Sequence, residues 1–187
     1  LGYESLSITP VLRSHALKNY RMTHNQCGKE IESMFIQGIV YDHYGMDWRN
    51  HFLNLRDKFR YFFRSNTKVR INYNERNKAT INFNGNIIQV EGSIEAPERI
   101  LFGEYFNLSS KIIEVAIKAS KELSYDKGEF LNTIVLVGEF SDIEGLKERL
   151  ENDIKQSYHY ASIISLNSEK ESIRDKCEIL VANSRKY

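Results

Sequence analysis

The tightest limit on the fold comes from a short apolar run, Thr133-Ile134-Val135-Leu136-Val137, closed by Gly138. β-branched and aliphatic residues without a polar alternate suit a buried strand of the parallel kind, covered on both faces. Ile143, Leu146, Leu150 and Ile154 follow at helical spacing, so an amphipathic helix is expected from about Asp142 to Lys155. Two more strands are expected at Ile163 to Leu166 and at Glu178 to Ala182. Upstream, Ile112, Val115, Ala116 and Ala119 mark a helix from about Leu108 to Leu123. Strand, glycine turn, helix, strand is the grammar of an α/β fold.

The rest of the chain follows a different grammar. Residues 3–12 alternate well enough for one strand, with Leu6, Ile8 and Val11 as its apolar contacts, and residues 16–23 are its expected partner. From Cys27 the period becomes helical, through Ile31, Met34 and Phe35 and less regularly to Ile39 and Val40. A second helix is expected from about Asp47 to Phe63, with Phe52, Leu55, Phe59 and Phe62 on one stripe and Asp47 as its N-cap. Residues 67–92 then read as a small antiparallel meander, in which Asn84-Gly85 supplies a two-residue turn because both residues tolerate positive φ. The two prolines, Pro10 and Pro97, read as boundaries. The domain reading is one lobe from residues 1–26 and 93–187, with a smaller lobe of helices and meander, 27–92, inserted into it.

Composition narrows the function classes. With 187 residues, 41% hydrophobic and 27% charged, the chain is long enough for a real core and is not disordered throughout. A net charge of +1 gives no reason to expect nucleic acid or an anionic membrane as the main partner. No apolar run approaches the roughly 18 residues of a membrane helix. Cys27 and Cys177 stand far apart, which fits buried reduced thiols in an intracellular protein. Leu1 in place of Met, and an end just after the apolar run Ile179-Leu180-Val181-Ala182, suggest a fragment of a longer protein.

Few residues form a constellation that carries chemistry. The five histidines share no ligand spacing with the cysteines, so no metal site is expected. No nucleophile elbow or phosphate-binding P-loop motif is present. The best local signal is the glycine turn Val137-Gly138-Glu139, where backbone N–H groups could receive a phosphate or ring. Glu139 opposes that reading, because its carboxylate would repel an anionic ligand.

Several stretches resemble one family in their order and spacing. Ile94-Glu95-Ala96-Pro97-Glu98-Arg99-Ile100-Leu101-Phe102 resembles the x-x-P-E-x-L-F stretch of actin and the actin-related proteins. Gly2, followed by Pro10 and Val11, resembles the second phosphate-binding hairpin and the strand after it. Ser14-His15-Ala16-Leu17 is similar to G-Y-A-L, and Gly28-Lys29-Glu30-Ile31 to the G-R-D-L that opens the next helix. Leu55 to Tyr61 resembles I-K-E-K-L-C-Y, and Leu131 to Gly138 resembles Y-A-N-T-V-L-S-G. Glu144 to Leu150 resembles P-G-I-A-D-R-M, and Glu178 to Tyr187 resembles K-I-I-A-P-P-E-R-K-Y. On this reading, about Gln156 to Lys176 is a longer replacement for the tail of the Gly145 helix, a place to acquire a private partner.

The resemblance implies the C-terminal half of an actin-like (ribonuclease H-like) ATPase fold: an inner lobe with a smaller inserted α+β outer lobe. It implies a degenerate nucleotide site at Gly2, Lys29, Arg56, Asp57, Gly138, Glu139 and Phe140, with ATP or ADP and Mg as its ligands if any are kept. The departures bear on catalysis. Where the family has an aspartate that organises metal-bound water, this chain has Tyr3, and Ser7 replaces the histidine beside the attacking water. Phosphoryl transfer depends on positioning and electrostatics, so losing both groups removes most of what activates water. The function implied is a structural subunit of a cytoskeletal (dynactin-like) or chromatin-remodelling assembly, with little or no ATP hydrolysis. Its partners would be other protein subunits, including actin or actin-related proteins, in the cytoplasm, cytoskeleton or nucleus. The alternatives are an active actin-like or chaperone-like ATPase, and a small α/β binding module outside the family.

Overall fold

The computed structural model describes residues 1–44, 79–83, 86–90, 96–138, 140, 141, 143 and 145–166. The chain opens with two paired ribbons. β1 (Leu6–Ile8) pairs antiparallel with β4 (Met22–His24), and β2 (Val11–Leu12) with β3 (His15–Ala16). The single strand expected over 3–12 is therefore two short strands with different partners. Pro10 stands between them and has no N–H to give a ladder, while its carbonyl accepts from Leu17 at 2.9 Å. Leu6 is buried as expected, but Val11 is 53% exposed, because β2 belongs to the outer ribbon.

The helical period from Cys27 gives α1 (Gly28–Tyr44), with Cys27, Ile31, Phe35 and Ile36 buried. Within the expected meander, β5 (Ala79–Phe83) pairs antiparallel with β6 (Asn86–Val90) on either side of the Asn84-Gly85 position. The helix expected over 47–63, the first part of the meander and the strand at 178–182 lie outside the described residues. Pro97 is the second residue of a short helix, α2 (Ala96–Phe102), where a proline's missing N–H is harmless. The sequence reading had only a boundary there.

α3 (Leu108–Leu123) has the bounds the apolar stripe predicts. The Asn107 side chain caps it by accepting from the Ser110 N–H at 2.9 Å, and Ser124 ends it in the left-handed region. A single short turn of helix, α4 (Gly128–Leu131), leads into β7 (Thr133–Val137). The next helix, α5, spans Leu146–Lys155, later than the expected start near Asp142. Gly145, at φ 82°, turns the chain into it, a conformation that costs glycine nothing. β8 (Ser162–Leu166) then pairs in parallel with β7, from Thr133 opposite Ser162 to Val137 opposite Leu166. This is the strand expected at Ile163 to Leu166, and it lies within the segment from about Gln156 read as a longer replacement for the helix tail.

The β7–α5–β8 unit and α3 carry most of the described core. Leu146, Leu150 and Ile154 make one buried stripe on α5, facing Ile112, Ala116, Leu136 and Ile163 in the same cluster. Each such side chain, fully buried, contributes roughly 1.5–3 kcal/mol. β7 is less covered than its apolar run suggests: Leu136 is buried, but Val135 is 37% exposed and Thr133 is exposed. Thr133, Val135 and Val137 share one face of the strand, and that face lacks the cover a parallel sheet usually has.

Helices α2, α3 and α5 are joined by a polar cluster. Arg149 Nε donates to both Asp153 carboxylate oxygens, at 3.1 and 3.0 Å, and its Nη1 to Glu98 Oε1 at 2.9 Å. The Ser109 hydroxyl donates to Asp153 at 2.8 Å, and the guanidinium lies 4.8 Å from the Phe102 ring centre. Such a half-buried cluster orients helices more than it adds net stability.

Candidate functional site

Three separate segments meet at one place: residues 1–5, the first turn of α1 and the turn after β7. The backbone laces them together. Gly28 N–H donates to the Gly2 carbonyl at 3.3 Å, and Lys29 N–H to the Tyr3 carbonyl at 2.8 Å. The Leu1 nitrogen donates to the Val137 carbonyl at 2.7 Å, and the Leu1 carbonyl accepts from Phe140 N–H at 3.2 Å. Gly2, Lys29, Gly138 and Phe140, read from sequence as one site, are therefore brought together. Arg56, Asp57 and Glu139 lie outside the described residues.

The junction needs two of its glycines. A Cβ on Gly28 would lie 2.2 Å from the Phe140 ring, so the ring packs close against bare backbone. Gly138 sits at φ 112°, and a Cβ there would be 2.6 Å from the Leu1 carbonyl oxygen. Phe140 itself is buried, and the Tyr3 ring stacks near it with centroids 6.4 Å apart. The Tyr3 hydroxyl donates to Oε1 of the buried Glu32 at 3.4 Å.

Several amide donors of the junction are turned inward. Gly2 N–H closes a turn on the Ser5 carbonyl at 3.0 Å. Phe140 N–H is bonded to Leu1 and Ser141 N–H to the Gly138 carbonyl at 3.0 Å, which also accepts from the Ser141 hydroxyl at 2.7 Å. At the α1 N-terminus, the usual place for an anion, Gly28 and Lys29 give their N–H groups to the chain's own carbonyls. Glu30 adds a carboxylate there, accepting from Cys27 N–H at 3.0 Å. The Lys29 ammonium lies 3.9 Å from Glu4 and both side chains are exposed, a surface pair worth little. The amides of Gly2, Gly28, Lys29, Phe140 and Ser141 are therefore not offered to a phosphate, and no catalytic step is derived through one.

Nor does the junction hold an activated nucleophile. Cys27 is buried and unpaired, and burial pushes its thiol pKa up, which keeps it protonated. Among the described residues no group of three His, Cys, Asp or Glu side chains could hold a metal ion. No helix there is long and apolar enough to cross a membrane. The sequence reading missed the Tyr3–Glu32 contact, the Glu30 cap and the Arg149 cluster. Two of these had a signal: Glu30 stands three residues after Cys27, the spacing of a capping box, and Arg149 and Asp153 are one helical turn apart.

No protein-family model matches the chain, and no curated relative is found for it at a significant level.

Proposed function

We propose that this chain is part of a divergent actin-related protein, a structural subunit of a cytoskeletal or chromatin-remodelling assembly that turns over little or no ATP. The observation that carries the reading is the inward use of the amides at Gly2, Gly28, Lys29 and Phe140. A site that binds phosphate keeps such donors free for the ligand. Tyr3 and Ser7 support it from the sequence, since they stand where the resembled family activates water. The β7–α5–β8 unit is compatible with the α/β inner lobe that the resemblance implies. The proposal places the protein inside the cell, with other protein subunits as its partners.

Nucleotide content tests the reading. The full-length protein, purified in its native complex, is denatured, and the supernatant is run on an anion-exchange column calibrated with ATP and ADP. The expected result is no nucleotide. Stoichiometric ATP would mean that binding survives without turnover. Stoichiometric ADP would overturn the proposal in favour of an active ATPase.

A further inference from the structure

The sheet of β7 and β8 has one face covered and one not. On the covered face, Leu136 and Ile163 share a core cluster with Leu146, Leu150 and Ile154 of α5. Successive side chains of a strand point to opposite faces. The other face therefore carries Thr133, Val135 and Val137 of β7 and, in register with them, Ser162, Ile164 and Leu166 of β8. Val135, Val137, Ile164 and Leu166 form an uncharged apolar block. Among the described residues all four stand outside the buried core cluster, with Val135 exposed and the other three half-buried. Parallel sheets are almost always covered on both faces, so this block calls for an occupant.

The chain itself continues from the block. Leu166 is both the end of β8 and one corner of the block, and residues 167–187, outside the described residues, follow it. In them Ile173, Cys177, Leu180 and Val181 fall at i, i+4, i+7 and i+8, one apolar stripe at helical spacing. Arg174, Asp175 and Glu178 lie off the stripe, and Ile179 is the large apolar residue that also falls outside it. Ser172 followed by Asp175 is a capping signature at its start. The same stretch reads as a strand over Glu178 to Ala182, but a strand would extend the sheet's edge and leave the face bare. As a helix, residues 173–184 would be roughly 18 Å long, against about 17 Å for five residues of strand. Residues 167–172 would be the connection, within the usual length between a strand and the helix that packs back on its sheet.

We propose that residues 173–181 of this chain dock as a helix on the uncovered face of β7 and β8, opposite α5. Stripe and block are both apolar, so burial rather than charge holds them together. A second copy of the chain fits less well as the occupant. The short tether to Leu166 gives the segment an effective concentration on the order of millimolar, which a separate molecule does not reach. The inference does not depend on the state of the nucleotide site, so it and the functional proposal can fail separately.

Cys177 stands within the stripe and can report on it. The test is the rate of maleimide labelling at Cys177 in the full-length protein, read by mass spectrometry of its peptides. Cys177 is expected to react at least about tenfold more slowly than in the urea-unfolded chain, because a docked thiol must wait for local opening. Val135→Asp and Ile164→Asp should each restore most of the rate, since a carboxylate beneath the helix would be buried without a partner. Val11→Asp, the same change at an exposed position of the outer ribbon, should leave labelling slow. A second measurement covers the case in which an aspartate unfolds the sheet. Val135→Cys should form a disulfide with Cys177 under mild oxidant, to the same extent after dilution, and Val11→Cys should not. Labelling of Cys177 at the unfolded rate would overturn the inference. So would protection that survives both aspartate variants with their circular dichroism intact, or a Val135→Cys disulfide that fails to form or is lost on dilution, as for a second copy.

Discussion

The N-terminal ribbons and the β7–α5–β8 unit solve the problem of staying folded in opposite ways. In the second, a helix stripe of Leu146, Leu150 and Ile154 is removed from water against Leu136 and Ile163. In the ribbons, Leu6 is the fully buried hydrophobe between residues 5 and 24, and short ladders do the rest. A two-stranded ribbon is marginal alone, so the ribbons depend on what they lean against. The difference separates labour: one region supplies stability, and the other, stabilised from outside, can spend its side chains on a surface.

The comparison can be broken most directly at the core. Leu150→Ala should cost about 2–5 kcal/mol, the range for a large aliphatic truncated in a packed core. Urea unfolding followed by circular dichroism reads this; a loss as small as that of a ribbon variant would erase the distinction. Arg149→Met should cost roughly 2 kcal/mol, because Asp153 and Glu98 lose a shared cation while largely shielded from water. Restoring most of that stability with Glu98→Gln in the Met background would show that the stranded carboxylate is the main penalty.

At the junction, Gly28→Ala should cost about 1–3 kcal/mol through overlap with the Phe140 ring. Phe140→Leu should recover part of that loss, and additive effects in a double-mutant cycle would mean that the ring does not press on Gly28. Asn107→Ala, which removes the α3 cap, should cost about 1 kcal/mol. The smallest effect is a gain. Replacing Arg13-Ser14 with Asn-Gly should stabilise by roughly 0.5–1 kcal/mol, since the turn keeps its φ values without strain.

Local periodicity made α3 and β7 legible, because the apolar stripe of one and the β-branched run of the other match the observed bounds. It failed where tertiary partners decide. Nothing in Leu6-Ser7-Ile8-Thr9-Pro10-Val11-Leu12 says that the two halves pair with different strands, although Pro10 could have warned of a break. The start of α5 was set too early because Ile143 extends the apolar stripe, whereas Gly145 sets the turn. The exposure of Val135 follows from how many strands and layers cover β7, which no window of sequence contains. At the candidate site, the gathering of Gly2, Lys29, Gly138 and Phe140 came from motif order rather than periodicity. The inward use of their amides was not legible at all, since hydrogen-bond partners far apart in sequence depend on the finished fold.

The bond between Leu1 and Val137 joins residues 136 apart. Closing a flexible loop of that length costs about 4 kcal/mol of chain entropy, whereas β7, α5 and β8 find one another within a few tens of residues. The junction is therefore expected to close late in folding, after the βαβ unit is in place. In a pulsed hydrogen-exchange experiment, protection at the Phe140 amide, which donates to Leu1, should lag that of Leu136 and Ile163, making the junction a clock for completion of the fold.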